Sequence, residues 1–188
     1  MLLKELFETI NQPLKAPNGQ PTNLNSVQYQ MVRTPEFKNW FGDSKVIDEN
    51  GEPLIVYHAT GSDFDEFDTS NPKKGKLGIG AYFTPNMKKA NVFSTLATLK
   101  GKSPFTMPVF LRIANPLYIH SHDIPNKVDK DHIMNQGYDG IISLDGNKID
   151  EIVAYNPNQI KSAIGNSGKF SKESNKIHEA SNAIKRTI

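Results

Sequence analysis

The chain has no cysteine, which excludes disulfides, thiolate metal sites and a cysteine nucleophile but leaves the redox compartment open. It has one tryptophan, Trp40, and three arginines, Arg33, Arg112 and Arg186. Neither sign of charge dominates: 22 Lys and Arg against 20 Asp and Glu give +2, which neither demands nor forbids a nucleic-acid partner. No apolar run approaches the roughly 20 residues that cross a bilayer, so neither a transmembrane helix nor a membrane partner is expected. Residues 1–10 are too short for a secretory signal and carry Glu5 and Glu8.

What is present is enough for a core. With 188 residues and 37% hydrophobic composition, the chain reads as one domain with extra material at its ends. Residues 1–25 read as an N-terminal helix or tag followed by a linker. Their apolar positions 2, 3, 6, 7 and 10 have helical spacing, and Pro, Asn, Gln and Gly crowd the rest. Residues 26–165 form the domain. Residues 166–188 read as a polar, mildly basic tail, five Lys and Arg against two Glu, and a solvated extension is expected.

Within the domain, residues 27–41 look helical, with Thr34 capping a restart at Pro35 and Gly42 as the stop. Residues 45–48 and 54–58 read as strands joined by a turn at Asn50-Gly51, and the apolar run Leu54-Ile55-Val56-Tyr57 suggests two covered faces. Residues 61–80 form a long loop of the kind that is usually functional or mobile. Strands are expected at 79–83, 109–113, 138–143, 149–156 and 159–164, with helices from 84 to about 100 and near 130–135. Many strands without regular alternation with helices suggest an α+β fold.

Three stretches carry candidate chemistry: Tyr57-His58-Ala59-Thr60, Gly80-Ala81-Tyr82-Phe83-Thr84 and Asp150-Glu151-Ile152-Val153-Ala154-Tyr155-Asn156. His58 ends an apolar strand beside small residues, though such a histidine can equally be structural. Tyr82 follows Gly78 and Gly80, but a strand tyrosine alone is more often core. Glu151 opens an apolar strand, where a carboxylate must be solvated, paired or used. Asp150 points to the opposite face if the segment is extended, which argues against a carboxylate dyad. His120, His122 and His132 lack a supporting ligand pattern, and the segment of His120 and His122, beside Pro116 and Pro125, reads as loop, so no metal is expected. Gly75-Lys76-Leu77-Gly78 lacks the Lys-Ser/Thr ending of a phosphate loop.

The ordered His, Tyr and Glu resemble the signature of the ADP-ribosyltransferases of the poly(ADP-ribose) polymerase and diphtheria-toxin branch. Val32-Arg33-Thr34-Pro35-Glu36-Phe37-Lys38-Asn39-Trp40-Phe41-Gly42-Asp43 and Asn156-Pro157-Asn158-Gln159-Ile160-Lys161-Ser162-Ala163 resemble the form of this domain found in polyvalent proteins of phages and mobile elements. The similarity runs over residues 28–170. It implies an ADP-ribosyltransferase-like split antiparallel β-sandwich with flanking helices, and NAD as substrate without a metal. It also implies transfer of ADP-ribose to a macromolecular acceptor, and the near-neutral charge favours a host protein over nucleic acid.

By the same resemblance, His58 would bind the adenosine-side ribose, and the Ala59 backbone would face the nicotinamide carboxamide. Tyr82 and Phe93 would pack around the nicotinamide, and Glu151 would stabilise the transition state. Ala59 stands where relatives have Gly, and Ala90 where some have Ser. A monomer is expected, working as an effector or toxin in the cytoplasm of a bacterial host or carried in a virion. The other functions weighed are a silent NAD-binding or virion-packaged protein, an NAD glycohydrolase and an RNA 2′-phosphotransferase. The scarcity of arginine near the motifs counts against the phosphotransferase.

Overall fold

The computed structural model describes residues 13–62, 64–70, 75–98, 105–126, 128–166 and 168–179, with the backbone alone for 93, 94 and 96–98. The expected helical stretch is two helices. Asn25 caps α1 (Ser26–Met31) in a reciprocal box with Gln28, and Thr34 caps α2 (Pro35–Phe41), whose end at Gly42 has φ 53°. Helix α2 presents Phe37, Trp40 and Phe41 to Phe110 and Phe170. Phe37 meets Trp40, Phe110 and Phe170 edge to face, with centroids 5.6, 5.1 and 5.0 Å away.

Among the described residues there are seven strands, β1 (Val56–Thr60), β2 (Ala81–Phe83), β3 (Phe105–Leu111), β4 (Pro116–His120), β5 (Gly140–Asp145), β6 (Lys148–Ala154) and β7 (Ile160–Ser162). They form two sheets, β1-β3-β7 and β2-β6-β5-β4. Between the sheets lies one core: Val56, Val109 and Leu111 from the first, with Ala81, Phe83, Ile142, Ile152 and Ala154 from the second. This is the expected α+β split sandwich. The split is local. Tyr57 and Thr84 exchange backbone hydrogen bonds of 2.8 and 3.1 Å, stitching β1 to β2 at one point, and the sheets diverge from there.

Helix α3 (Met87–Thr98) packs on β1, tied to β3 by a 3.0 Å Thr106–Asn91 hydrogen bond. A helix α4 (Lys130–Asn135) and a 3₁₀ turn at Pro157–Gln159 complete the elements. The pairings are antiparallel except β4 with β5, which is parallel. Strand β4 was read as loop because Pro116 and His120 are poor strand signals. Proline is tolerated at the first residue of an edge strand, and β4 is one. Helix α4 lies on the crossover that a parallel pair requires. Sheet β2-β6-β5-β4 is covered on both faces: Ile142 and Ile152 face the intersheet core, while Ile141 and Val153 face Leu77, Ile133 and Tyr155.

Several expectations need correction. In Leu54-Ile55-Val56-Tyr57 only Val56 is fully buried, and the strand starts there; Ile47 and Pro53 make only an isolated bridge. Residues 13–25 do not behave as a loose linker. Ala16 and Leu24 are buried, and Arg33 stacks on Tyr29 while pairing with buried Glu52 at 2.6 Å. Residues 166–179 are no solvated tail either. Phe170 and Ile177 join the two cores, and wholly buried Lys161 donates to the Ser174 and Lys176 carbonyls and to Glu179. The described part of loop 61–80 is sewn down, with Ile177 N–H donating to Asp65 O at 2.8 Å. The amphipathic stretch 1–10 lies outside the described residues.

Candidate active site

Where β1 and β2 separate, a cleft of about 630 Å³ opens, lined by His58, Ala59, Tyr82 and Glu151 among others. The fold thus brings four of the five residues singled out in the sequence to one cavity. The fifth, Phe93, lies on α3, and its side chain is outside those described.

His58 is placed by chemistry on both sides of its ring. Its Nδ1–H donates to the Tyr82 carbonyl at 2.8 Å, because a carbonyl can only accept. The ring stands edge-on to Phe67 at 4.9 Å and tilted against Phe83 at 5.6 Å. Burial among these aromatics lowers its pKa below the usual imidazole value, although the Tyr82 bond opposes that. A neutral ring protonated on Nδ1 keeps Nε2 as an acceptor.

Tyr82 pairs with Val153 across β2 and β6, and its hydroxyl donates to Gly78 O at 2.7 Å. Burial, with the Glu151 carboxylate close by, pushes the phenol up, so it stays protonated. The turn 75–78 packs closely against the ring. A Cβ on Gly75 would come within 2.5 Å of it, so only glycine permits this approach.

Glu151 faces Ser143 across β5 and β6. Burial raises its pKa; Lys89 and then Lys76 pull it down, and Asp150 pushes it up. Asp150 also lines the cleft, against the expectation that it points away. The cause is a β-bulge: Ser143 opposes Glu151 and Leu144 opposes Ile149, which leaves Asp150 as the extra residue. Ile149 and Ile152 both pack on the intersheet core although three apart, which a regular strand forbids. That spacing was the overlooked signal in the sequence. Asp150 binds Lys89 of α3 through both oxygens at 2.9 Å, and nothing in the local pattern around Lys89 foretold that contact. Ala90, expected where relatives have Ser, is buried against the same cleft.

His120 and His122 stack at 5.5 Å, but no group of three or more potential ligands occurs among the described residues.

Two sheets that part around a cleft, with His, Tyr and Glu supplied in that order by β1, β2 and β6, have the architecture of an ADP-ribosyltransferase domain. The family model for the ADP-ribosyltransferase in polyvalent proteins matches residues 48–170, more than half of the chain, and the protein belongs to that family. The match starts later than the expected 28, so segment 32–43 lies outside it. No curated protein sequence matches the chain.

Proposed function

We infer that the protein cleaves NAD, releases nicotinamide and transfers ADP-ribose to a macromolecular acceptor, a protein in preference to a nucleic acid. The reading extends to a monomeric effector of a phage or mobile element, acting in the bacterial host cytoplasm or packaged in a virion. Its support there is the resemblance to polyvalent-protein domains. The observation that carries the chemistry is the convergence of a neutral histidine, a fixed tyrosine ring and a half-buried carboxylate on one cleft.

The residues fit NAD as substrate. His58 Nε2 accepts a hydrogen bond from the adenosine-side ribose, and the Ala59 backbone meets the carboxamide. Tyr82, pinned by Gly78 O, and Phe93 hold the nicotinamide. NAD supplies a cationic leaving group that departs neutral, taking the electron pair of its bond to the ribose. Positive charge then grows on the sugar, as in glycoside cleavage. Glu151 accepts from the nicotinamide-ribose hydroxyl and meets that charge with its own. Such a preorganised group is worth about 3–4 kcal/mol, because it interacts more strongly with the transition state than with bound substrate. The acceptor's nucleophile bonds to the anomeric carbon and loses its proton.

Glu151→Gln keeps size and hydrogen bonding but removes the charge, so NAD cleavage should fall by about 10²–10³-fold with the circular dichroism unchanged. The measurement is incubation with labelled NAD and cell lysate, followed by protease or nuclease. Label removed by protease identifies a protein acceptor. Free nicotinamide without label identifies a glycohydrolase. Neither signal from folded protein leaves a binding module, as expected if Ala59 and Ala90 weaken the hold on NAD. Full activity of the Gln variant overturns the role of Glu151.

A further inference from the structure

Resting on the reading of Glu151 as the cleft's anion, we propose that Lys89 and Asp150 are positioning residues for it. Asp150, brought into the cleft by the bulge, holds the Lys89 ammonium near Glu151 while keeping it from capping that carboxylate.

The geometry forms a closed circuit. Thr84, just after β2, donates its hydroxyl to the Asp150 carbonyl at 2.9 Å and fixes the bulge backbone. The Thr84 Oγ1 also accepts from Asn86 N–H at 3.2 Å, and Asn86 Oδ1 accepts from the Lys89 backbone N–H at 3.1 Å, setting the start of α3. Lys89 returns from that helix to both Asp150 oxygens at 2.9 Å. One threonine therefore registers the helix carrying the cation to the strand carrying the two carboxylates. The pair is part-exposed, 33% and 35%, and faces the cavity rather than the core.

The charged and titratable groups facing Glu151 are few. Among the described residues that line the cleft with it, Lys89 comes from α3, Asp150 from β6, Lys76 from the turn 75–78, the Tyr82 phenol from β2, and the Tyr57 phenol and the neutral His58 from β1. Burial works against an ionised Glu151, and Lys89 is the first of the nearby charges that oppose it. Without Asp150, a lysine lining the same cleft would be free to bond Glu151 and occupy the oxygens that should meet the ribose. Asp150 takes those short bonds, so Glu151 receives the field of the ammonium without being covered by it.

The test follows the carboxyl of Glu151 by ¹³C NMR in glutamate-labelled protein, with Glu151→Gln identifying its resonance. Lys89→Met should raise the titration midpoint by about one pH unit, and Asp150→Asn should lower it. The double variant should lie between them. NAD cleavage should fall in both single variants for different reasons. Lys89→Met moves the acid limb to higher pH, whereas Asp150→Asn lowers the plateau about tenfold although Glu151 is more fully ionised. Midpoints unmoved in folded variants overturn the proposal. Opposite midpoint shifts in a protein that never cleaves NAD uphold the pairing and overturn the transferase reading instead.

Discussion

The outer face of sheet β1-β3-β7 and the cleft beside β2 are both built on aromatic rings, but toward opposite ends. Behind β3, Phe37, Trp40, Phe41, Phe110 and Phe170 surround one another, and the one polar atom of Trp40 is satisfied by Asn158 O at 3.0 Å. Beside the cleft, Phe67 and Phe83 pack on the His58 imidazole, and the middle of β6 carries Glu151 and Asp150. The first region releases free energy by burying apolar area. The second holds polar groups where water is scarce, which opposes folding and readies chemistry. Stability and reactivity are separated in space, the first packed behind β3 and the second gathered at the cleft beside β1 and β2.

Mutations should respect that division. Trp40→Ala, at a site with no exposure, should cost about 3–5 kcal/mol in denaturant unfolding, while the surviving folded molecules bind NAD as before. Loss of binding in step with stability would dissolve the comparison. Lys161→Met leaves the Glu179 carboxylate without its buried cation, a loss of about 1–3 kcal/mol. It should appear as faster hydrogen exchange over residues 171–179, with the cleft unaffected.

Smaller effects come from the cleft itself. The pKa of His58 is lowered on folding, so its contribution is full above the unfolded value of about 6.5 and is lost as pH falls through the folded value. Wild type should lose thermal stability over that window, whereas His58→Gln, which cannot titrate, should lose less. Glu151 has the reverse sign. Its pKa is raised on folding, so ionisation opposes the folded state as pH rises. Glu151→Gln should therefore unfold a few degrees higher than wild type at neutral pH, with the gain vanishing below about pH 4. An activity loss paired with a stability gain is the sharpest expression of the division.

Much of this was legible in the chain because it is local. Thr34, Pro35 and Gly42 set α2 through caps and backbone preference within a single turn. Apolar runs around Ile142 and Ile152 announced strands, and the packed sheets cover both of their faces. His58, Tyr82 and Glu151 stood out because each ends or interrupts such a run. The rest depends on partners distant in sequence. Residues 166–179 look polar, yet Phe170 and Ile177 find pockets that only assembled sheets provide. Strand β4 became a strand because β5 offered a free edge.

The sequence by itself determined the helix caps, the apolar strands and the order in which histidine, tyrosine and glutamate are delivered, since these follow from nearest neighbours and alternation. Only the tertiary structure decided that Asp150 turns into the cleft to hold Lys89. A bulge is settled by which two isoleucines must reach the same core, and that competition exists only once the sheets have packed.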